Sequence, residues 1–101
     1  MPITVNGREG AVTITLSGEI DHHGARTMMR DLEETVSALL PRRLTLDLSG
    51  VTFMDSSGIA LLIRVQRQME QLGGSLRVTA IPTQPRRVLD AAGLGRIITF
   101  D

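Results

Sequence analysis

The chain contains no cysteine, no lysine, no tryptophan and no tyrosine, and only two phenylalanines, Phe53 and Phe100. Without cysteine there can be no disulfide, no thiolate metal site and no cysteine nucleophile. With so few aromatic residues the core has to be aliphatic, built from Val, Ile, Leu, Met and Ala. No apolar run reaches the length of a membrane span, and the opening residues MPITVNGREG carry no apolar signal segment. A cytoplasmic protein is the expectation. All eleven basic residues are arginine, balanced by eleven acids. Residues 1–40 hold three Arg against six acids, residues 41–101 eight against five, and Arg42–Arg43 and Arg86–Arg87 are the basic doublets. Neither the basic excess nor the stacking aromatics of a nucleic-acid binder is present. Scattered arginines of this kind solvate the surface or meet an acidic protein face.

At 101 residues with 42% hydrophobic content, the chain can close one modest core and is expected to form one domain. Ile3–Asn6 reads as a short strand, followed by a turn over Gly7–Gly10. Val12, Ile14 and Leu16 alternate with Thr13 and Thr15, the period-two pattern of a half-buried strand, which Ser17-Gly18-Glu19 should end. The period then changes. Ala25, Met28, Met29, Leu32, Val36, Leu39 and Leu40 recur at helical spacing until Pro41 stops them. Leu44, Leu46 and Leu48 alternate again and lead to Ser49-Gly50. A second helix should begin near Ser57, with Ile59, Leu62, Val65, Met69 and Leu72 on its apolar side, a deeply packed N-terminal half, and Gly73-Gly74 at its end. Leu76–Ala80 reads as a fourth strand. Thr83 can cap a short helix with Pro85 in its first turn and Gly93 just beyond it, and residues 97–101 return to β-like character. The expected order is β-β-α-β-α-β-α: an α/β domain with a mixed four-stranded sheet packed against helices, containing a hairpin and a right-handed β-α-β crossover.

Between the third strand and the second helix lies VTFMDSSGIALLI, residues 51–63, with Asp55, Ser56, Ser57 and Gly58 at the mouth of the helix. In open α/β sheets functional groups gather at this end of the strands. A helix N-terminus offers unpaired N–H groups and a partial positive charge, which favour an anion, including a phosphoryl group on a serine. The plainer role is capping, since Ser and Asp are preferred N-caps worth about 1 kcal/mol, and either serine could serve it. A catalytic serine fits poorly: Gly-x-Ser-x-Gly is absent, and nothing places His22 or His23 beside Ser56.

The segment DLSGVTFMDSSGIALLI resembles the signature of the STAS domain, in particular anti-sigma factor antagonists of the sporulation and stress-response type. GEIDHH at 18–23, QLGGSLRV at 71–78 and RVLDAAGL at 87–94 resemble further landmarks of that family, in its order and over nearly the whole chain. The resemblance implies a partner-switching protein without catalytic activity and without a cofactor. Its partners would be an anti-sigma factor with serine kinase activity and a PP2C-type phosphatase. The kinase would phosphorylate Ser56, the serine directly after the Asp of the motif, using its own ATP, and so release the antagonist. Ser57 would support it as a cap or hydrogen-bond partner. By resemblance Asp21 and His22 share the rim of Asp55-Ser56-Ser57-Gly58 and are candidate partner contacts. Relatives commonly carry a further C-terminal helix, while this chain ends at Asp101.

Other residues have plainer readings beside their functional ones. Adjacent His22 and His23 point apart and lack further soft ligands, so no metal site is expected, and Asp21 should cap the first helix. Met28 and Met29 read as core fillers. Gly58 is required either because a side chain would crowd a partner or nearby loop, or for helix–sheet packing. Arg64 and Arg67 fall on the exposed side of the second helix, where Arg64 could meet acids on a kinase. Two other functions compete: a non-switching STAS module of a lipid- or anion-transport system, in which one or both serines are often replaced, and a small hydrolase acting through Ser56.

Overall fold

The computed structural model describes residues 3–101. Its elements run β1 (Ile3–Arg8), β2 (Ala11–Ile20), α1 (Gly24–Leu39), β3 (Arg43–Met54), α2 (Ser56–Gln71), β4 (Ser75–Thr79), α3 (Thr83–Ala91), a 3-10 turn at Leu94–Arg96, and β5 (Thr99–Phe100). The sheet order is β1-β2-β3-β4-β5, with β1 antiparallel to β2 and every later pair parallel. The sheet therefore has five strands rather than the expected four. The β-like character of residues 97–101 becomes the short fifth strand beside β4.

Every parallel connection steps one strand in the same direction, so right-handed crossovers put all three helices on one face. The strand burial agrees. Val12, Ile14 and Leu16, Leu44, Leu46 and Leu48, and Leu76 and Val78 are buried beneath the helices. The alternate residues Thr13, Thr15, Thr45, Asp47 and Thr79 are polar and only half-buried. The smallest extent of the molecule is 19 Å, which leaves room for one sheet and one helical layer at the usual spacing of about 10 Å. The core is wholly aliphatic, and among the described residues no polar or charged side chain is buried in it.

The hairpin turns on Glu9 and Gly10, both at positive φ (56° and 83°), the pairing a two-residue turn between twisted strands requires. The turn is thus tighter than the expected Gly7–Gly10, and β1 runs on to Arg8. In α1, Met28, Leu32 and Val36 face the core, Met29 is half-buried, and Leu39 and Leu40 are exposed. In α2 the core residues are Gly58, Leu61, Leu62, Val65 and Met69; Leu72 is exposed. The cap of α3 is Pro82, in extended conformation, and Thr83 is the first helical residue without a capping hydrogen bond. Pro82 fits there because its missing N–H falls where the helix has no intrahelical partner for one.

Two strands are longer than their alternation suggests. β2 passes through Ser17-Gly18-Glu19 to Ile20, and β3 passes through Ser49-Gly50 to Met54. Opposite Thr15–Ser17 and Gly18–Glu19 the register shifts, and β3 carries the extra residues, between Asp47 and Gly50 and between Val51 and Phe53. A bulge breaks the period-two pattern without ending the pairing, which is why the buried residues of β3 change spacing from Leu46 and Leu48 to Val51 and Met54. Gly50 belongs to this close approach: a Cβ on it would lie 2.7 Å from the Ser17 Cβ and 2.9 Å from the Leu16 carbonyl oxygen.

β4 pairs only with Arg43–Asp47 of β3, so the far half of β3 projects beyond its neighbour on that side. Gln84 of α3 closes the gap. Its Oε1 accepts from the Met54 N–H (2.9 Å) and its Nε2 donates to the Met54 carbonyl (2.8 Å), as a strand residue would. Removing this side chain leaves a part-buried donor and acceptor unpaired, a loss of about 1–3 kcal/mol. Gln84→Ala is therefore expected to lower the unfolding free energy by that amount in urea titration and to raise hydrogen exchange at Met54 more than at the amides of Leu44–Leu48.

Candidate functional site

β3 delivers the chain to Asp55 in extended geometry, and α2 begins at the next residue. Asp55 is the N-cap: its Oδ1 accepts from the Ser57 N–H at 2.8 Å, and its carbonyl accepts from the Gly58 N–H at 3.0 Å. Capping thus falls to the carboxylate and to neither serine. Ser56 occupies the first helical position, is exposed, and its hydroxyl makes no intramolecular hydrogen bond among the described residues. Ser57 is half-buried and turns toward the space between α1 and α2.

Gly58 is buried against the end of β3. A Cβ there would collide with Met54 Cγ and come within 2.6 Å of its Sδ. The glycine therefore serves helix–sheet packing within the chain. Met54, fixed from one side by Gln84, seats the first turn of α2 from the other.

A second junction lies alongside. The Asp55 N–H donates to the carbonyl of Ile20, the last residue of β2, at 3.2 Å. Directly after Ile20, the Asp21 carboxylate accepts from the backbone N–H groups of His23 (3.1 Å) and Gly24 (2.7 Å), and the Asp21 carbonyl accepts from Ala25. The N-cap of α1 is His23 rather than the expected Asp21; the Asp21 carboxylate instead holds the turn that leads into the helix. The same hydrogen bonds, that from Gly24 first, hold its carboxyl below the ordinary value of 3.8. His22 and His23 are exposed, with ring centroids 5.9 Å apart and nearly edge to face. Among the described residues no three His, Cys, Asp or Glu side chains converge as a metal site would need.

The structure brings Asp21 and His22 onto the same rim as Asp55, Ser56 and Ser57. Arg64 lies two turns further along α2, its guanidinium 2.7 Å from Glu33 of α1 and both side chains well exposed. Two residues of the rim escaped the sequence reading. Gln84 gives no local signal, because its role depends on where α3 lands. Phe53 is 41% exposed directly before Met54; its signal was its rarity in a chain with two aromatics. The exposed hydroxyl of Ser56 can accept a group at little structural cost. Among the described residues no base is hydrogen-bonded to it, as one is to an activated serine nucleophile.

The STAS domain family model matches residues 2–101. The chain is 29% identical over 98 residues to an anti-sigma F factor antagonist of Paenibacillus polymyxa, covering 97% of this chain and 84% of that one. It is 32% identical over 85 residues to an anti-sigma F factor antagonist of Lysinibacillus sphaericus, covering 83% and 72%. The crystal structure of an anti-sigma factor antagonist from Mycobacterium paratuberculosis superposes with a TM-score of 0.85 at 26% identity, over 97% of this chain and 82% of that one.

The two carboxylates generate two predictions. Asp55→Ala should cost about 1 kcal/mol of stability, the usual worth of an N-cap, whereas Ser56→Ala should stay within about 0.5 kcal/mol, both read from urea midpoints. Because folding depresses the Asp21 pKa, its contribution is complete above the unfolded value and is lost as pH falls through the folded one. An NMR titration of its carboxyl carbon should therefore give a midpoint below 3.8, and Asp21→Asn should flatten the fall of melting temperature in that acidic range. With the family model matching residues 2–101, the chain belongs to the STAS domain family.

Proposed function

We propose that this protein is an anti-sigma factor antagonist that works by partner switching. Unmodified, it binds an anti-sigma factor with serine kinase activity and so frees a sigma factor. The kinase phosphorylates Ser56, the complex separates, and a PP2C-type phosphatase restores the unmodified form. The protein contributes no catalysis and no cofactor; it is the substrate of the kinase and the competitor of the sigma factor. Asp21, His22, Asp55, Ser56, Ser57, Gly58 and Arg64 supply or support the contact surface.

The observation that carries this reading is the separation of tasks at the head of α2. Asp55 caps the helix, which leaves the Ser56 hydroxyl exposed and unengaged. A phosphoryl group there adds roughly 1.5 to 2 negative charges at the positive end of a helix, where the fold accommodates them. Pressed against a partner, the same charges beside Asp55 meet repulsion and desolvation of several kcal/mol. The switch is then a local change of charge and shape, without refolding. The names of the relatives from Paenibacillus and Lysinibacillus support the same assignment.

The test combines the purified chain with each purified anti-sigma factor kinase of its genome and ATP. Trypsin cleaves after Arg43 and Arg64, so the peptide 44–64 reports both serines by mass spectrometry. Phosphate is expected on Ser56 and absent from Ser56→Ala, and Ser56→Glu should weaken binding of the same partner by about 100-fold, equivalent to roughly 2.7 kcal/mol. An unmodified peptide with every kinase, or unchanged affinity of the phosphorylated chain, would overturn the reading.

A further inference from the structure

A groove of about 430 Å³ runs between α1 and α2, beginning at Ser57. Ala25, Met29, Ala60 and Leu61 contribute its apolar lining, while Arg26, Arg30 and Arg64 stand along it. The charges are unequal. Glu33 is the acid of the groove and is taken by Arg64 at 2.7 Å. Arg26 and Arg30 are exposed, and among the described residues neither has an ion-pair partner.

We propose that this groove is a docking surface for an acidic helical segment of a protein partner. The inference rests on the reading of the chain as an interaction module and extends it from the Ser56 loop onto the helix pair. Guanidinium groups pair with carboxylates in a defined fork geometry, so Arg26 and Arg30 select acidic side chains. A simple anion would need no apolar lining. An amphipathic helix needs both features, with apolar anchors recurring at i, i+3, i+4 and i+7 and carboxylates flanking them. Two small residues, Ala25 and Ala60, keep the groove open for such anchors, and Met29 offers an adaptable contact. Because the groove starts at Ser57, a partner seated on the Ser56 loop meets it without a gap. A phosphoryl group on Ser56 would then stand at the head of a slot that selects negative charge, where it competes with the partner's own carboxylates.

The test uses the intact, isotope-labelled chain and a synthetic amphipathic peptide of about 18 residues, with Leu at the anchor spacing and Glu elsewhere. Amide shifts are expected at residues 25–33 and 57–64. Arg26→Gln/Arg30→Gln should weaken binding by about ten-fold or more. Ala60→Leu, which fills the groove from an exposed helical position, should do the same. A peptide with Lys in place of Glu should not bind. Circular dichroism of both variants checks that each is folded. Absence of shifts, shifts confined to other residues, or affinity of both folded variants within about twofold of the parent would overturn the proposal. Equal shifts from inorganic phosphate alone would also overturn it, in favour of a simple anion site. The measurement involves neither a kinase nor Ser56, so failure of the groove and failure of the partner switch are separately visible.

Discussion

The end of β3 is the constraint on which the rest of the site depends. β3 runs beyond the last residue it shares with β4, so its final stretch has backbone groups that the sheet does not pair on that side. Gln84 supplies the missing donor and acceptor at Met54, and the Ile20 carbonyl receives the N–H of Asp55 one residue later. Three segments distant in sequence thus converge on two consecutive peptide units. Without that convergence the start of α2 would be an ordinary exposed junction, free to move by one residue or to fray. With it, Ser56 has a defined position while its own side chain carries none of the structural work.

The division between Asp55 and Ser56 follows from elementary capping chemistry. A carboxylate at the N-cap offers two acceptor oxygens, so it satisfies the Ser57 N–H directly. A serine in that place would satisfy the same N–H only by committing its own hydroxyl oxygen to the cap. Placing the carboxylate first therefore leaves the Ser56 hydroxyl outside the capping role. The same device appears at Asp21, whose carboxylate gathers two N–H groups at the entrance to α1, leaving His22 exposed at the rim.

Much of this was legible in the sequence where the physical signal is local. The helical spacing of Met28, Leu32 and Val36, the alternation of Leu44, Leu46 and Leu48, and the stop at Pro41 each depend on neighbours a few residues away, and the structure follows them. The ends of β2 and β3 were not legible, because Ser17-Gly18-Glu19 and Ser49-Gly50 imitate turn chemistry while pairing continues across them, past the extra residues that β3 carries. Asp-Ser-Ser-Gly announced a helix start without saying which of its residues caps it; that depends on the extended backbone of Asp55, set by the length of β3. Gln84 was invisible, since a surface-compatible glutamine in a short helix becomes a clamp only when the fold brings it to Met54. Thr83 looked like the better cap for α3, yet the extended Pro82 before it takes the place.

One-sided layering explains where interaction surface can exist in so small a molecule. With all helices on one face, the opposite face of the sheet is left as a half-buried, polar and threonine-rich surface, well hydrated and poor in anchors for a partner. The helical face is different. There α1 and α2 are joined across their exposed side by the Arg64–Glu33 pair, a contact worth well under 1 kcal/mol in such exposed surroundings, so it aligns the helices more than it stabilises them. That pair takes the acid of the groove and leaves Arg26 and Arg30 facing outward, while the loop end of the same face presents Asp21 and Asp55. A surface with acids at its rim and arginines along its groove is polar along its length, and a partner with the opposite arrangement can bind it in one direction only. Ser56 sits where the two halves meet, so under the proposed switch a phosphoryl group there would change the charge pattern at their junction.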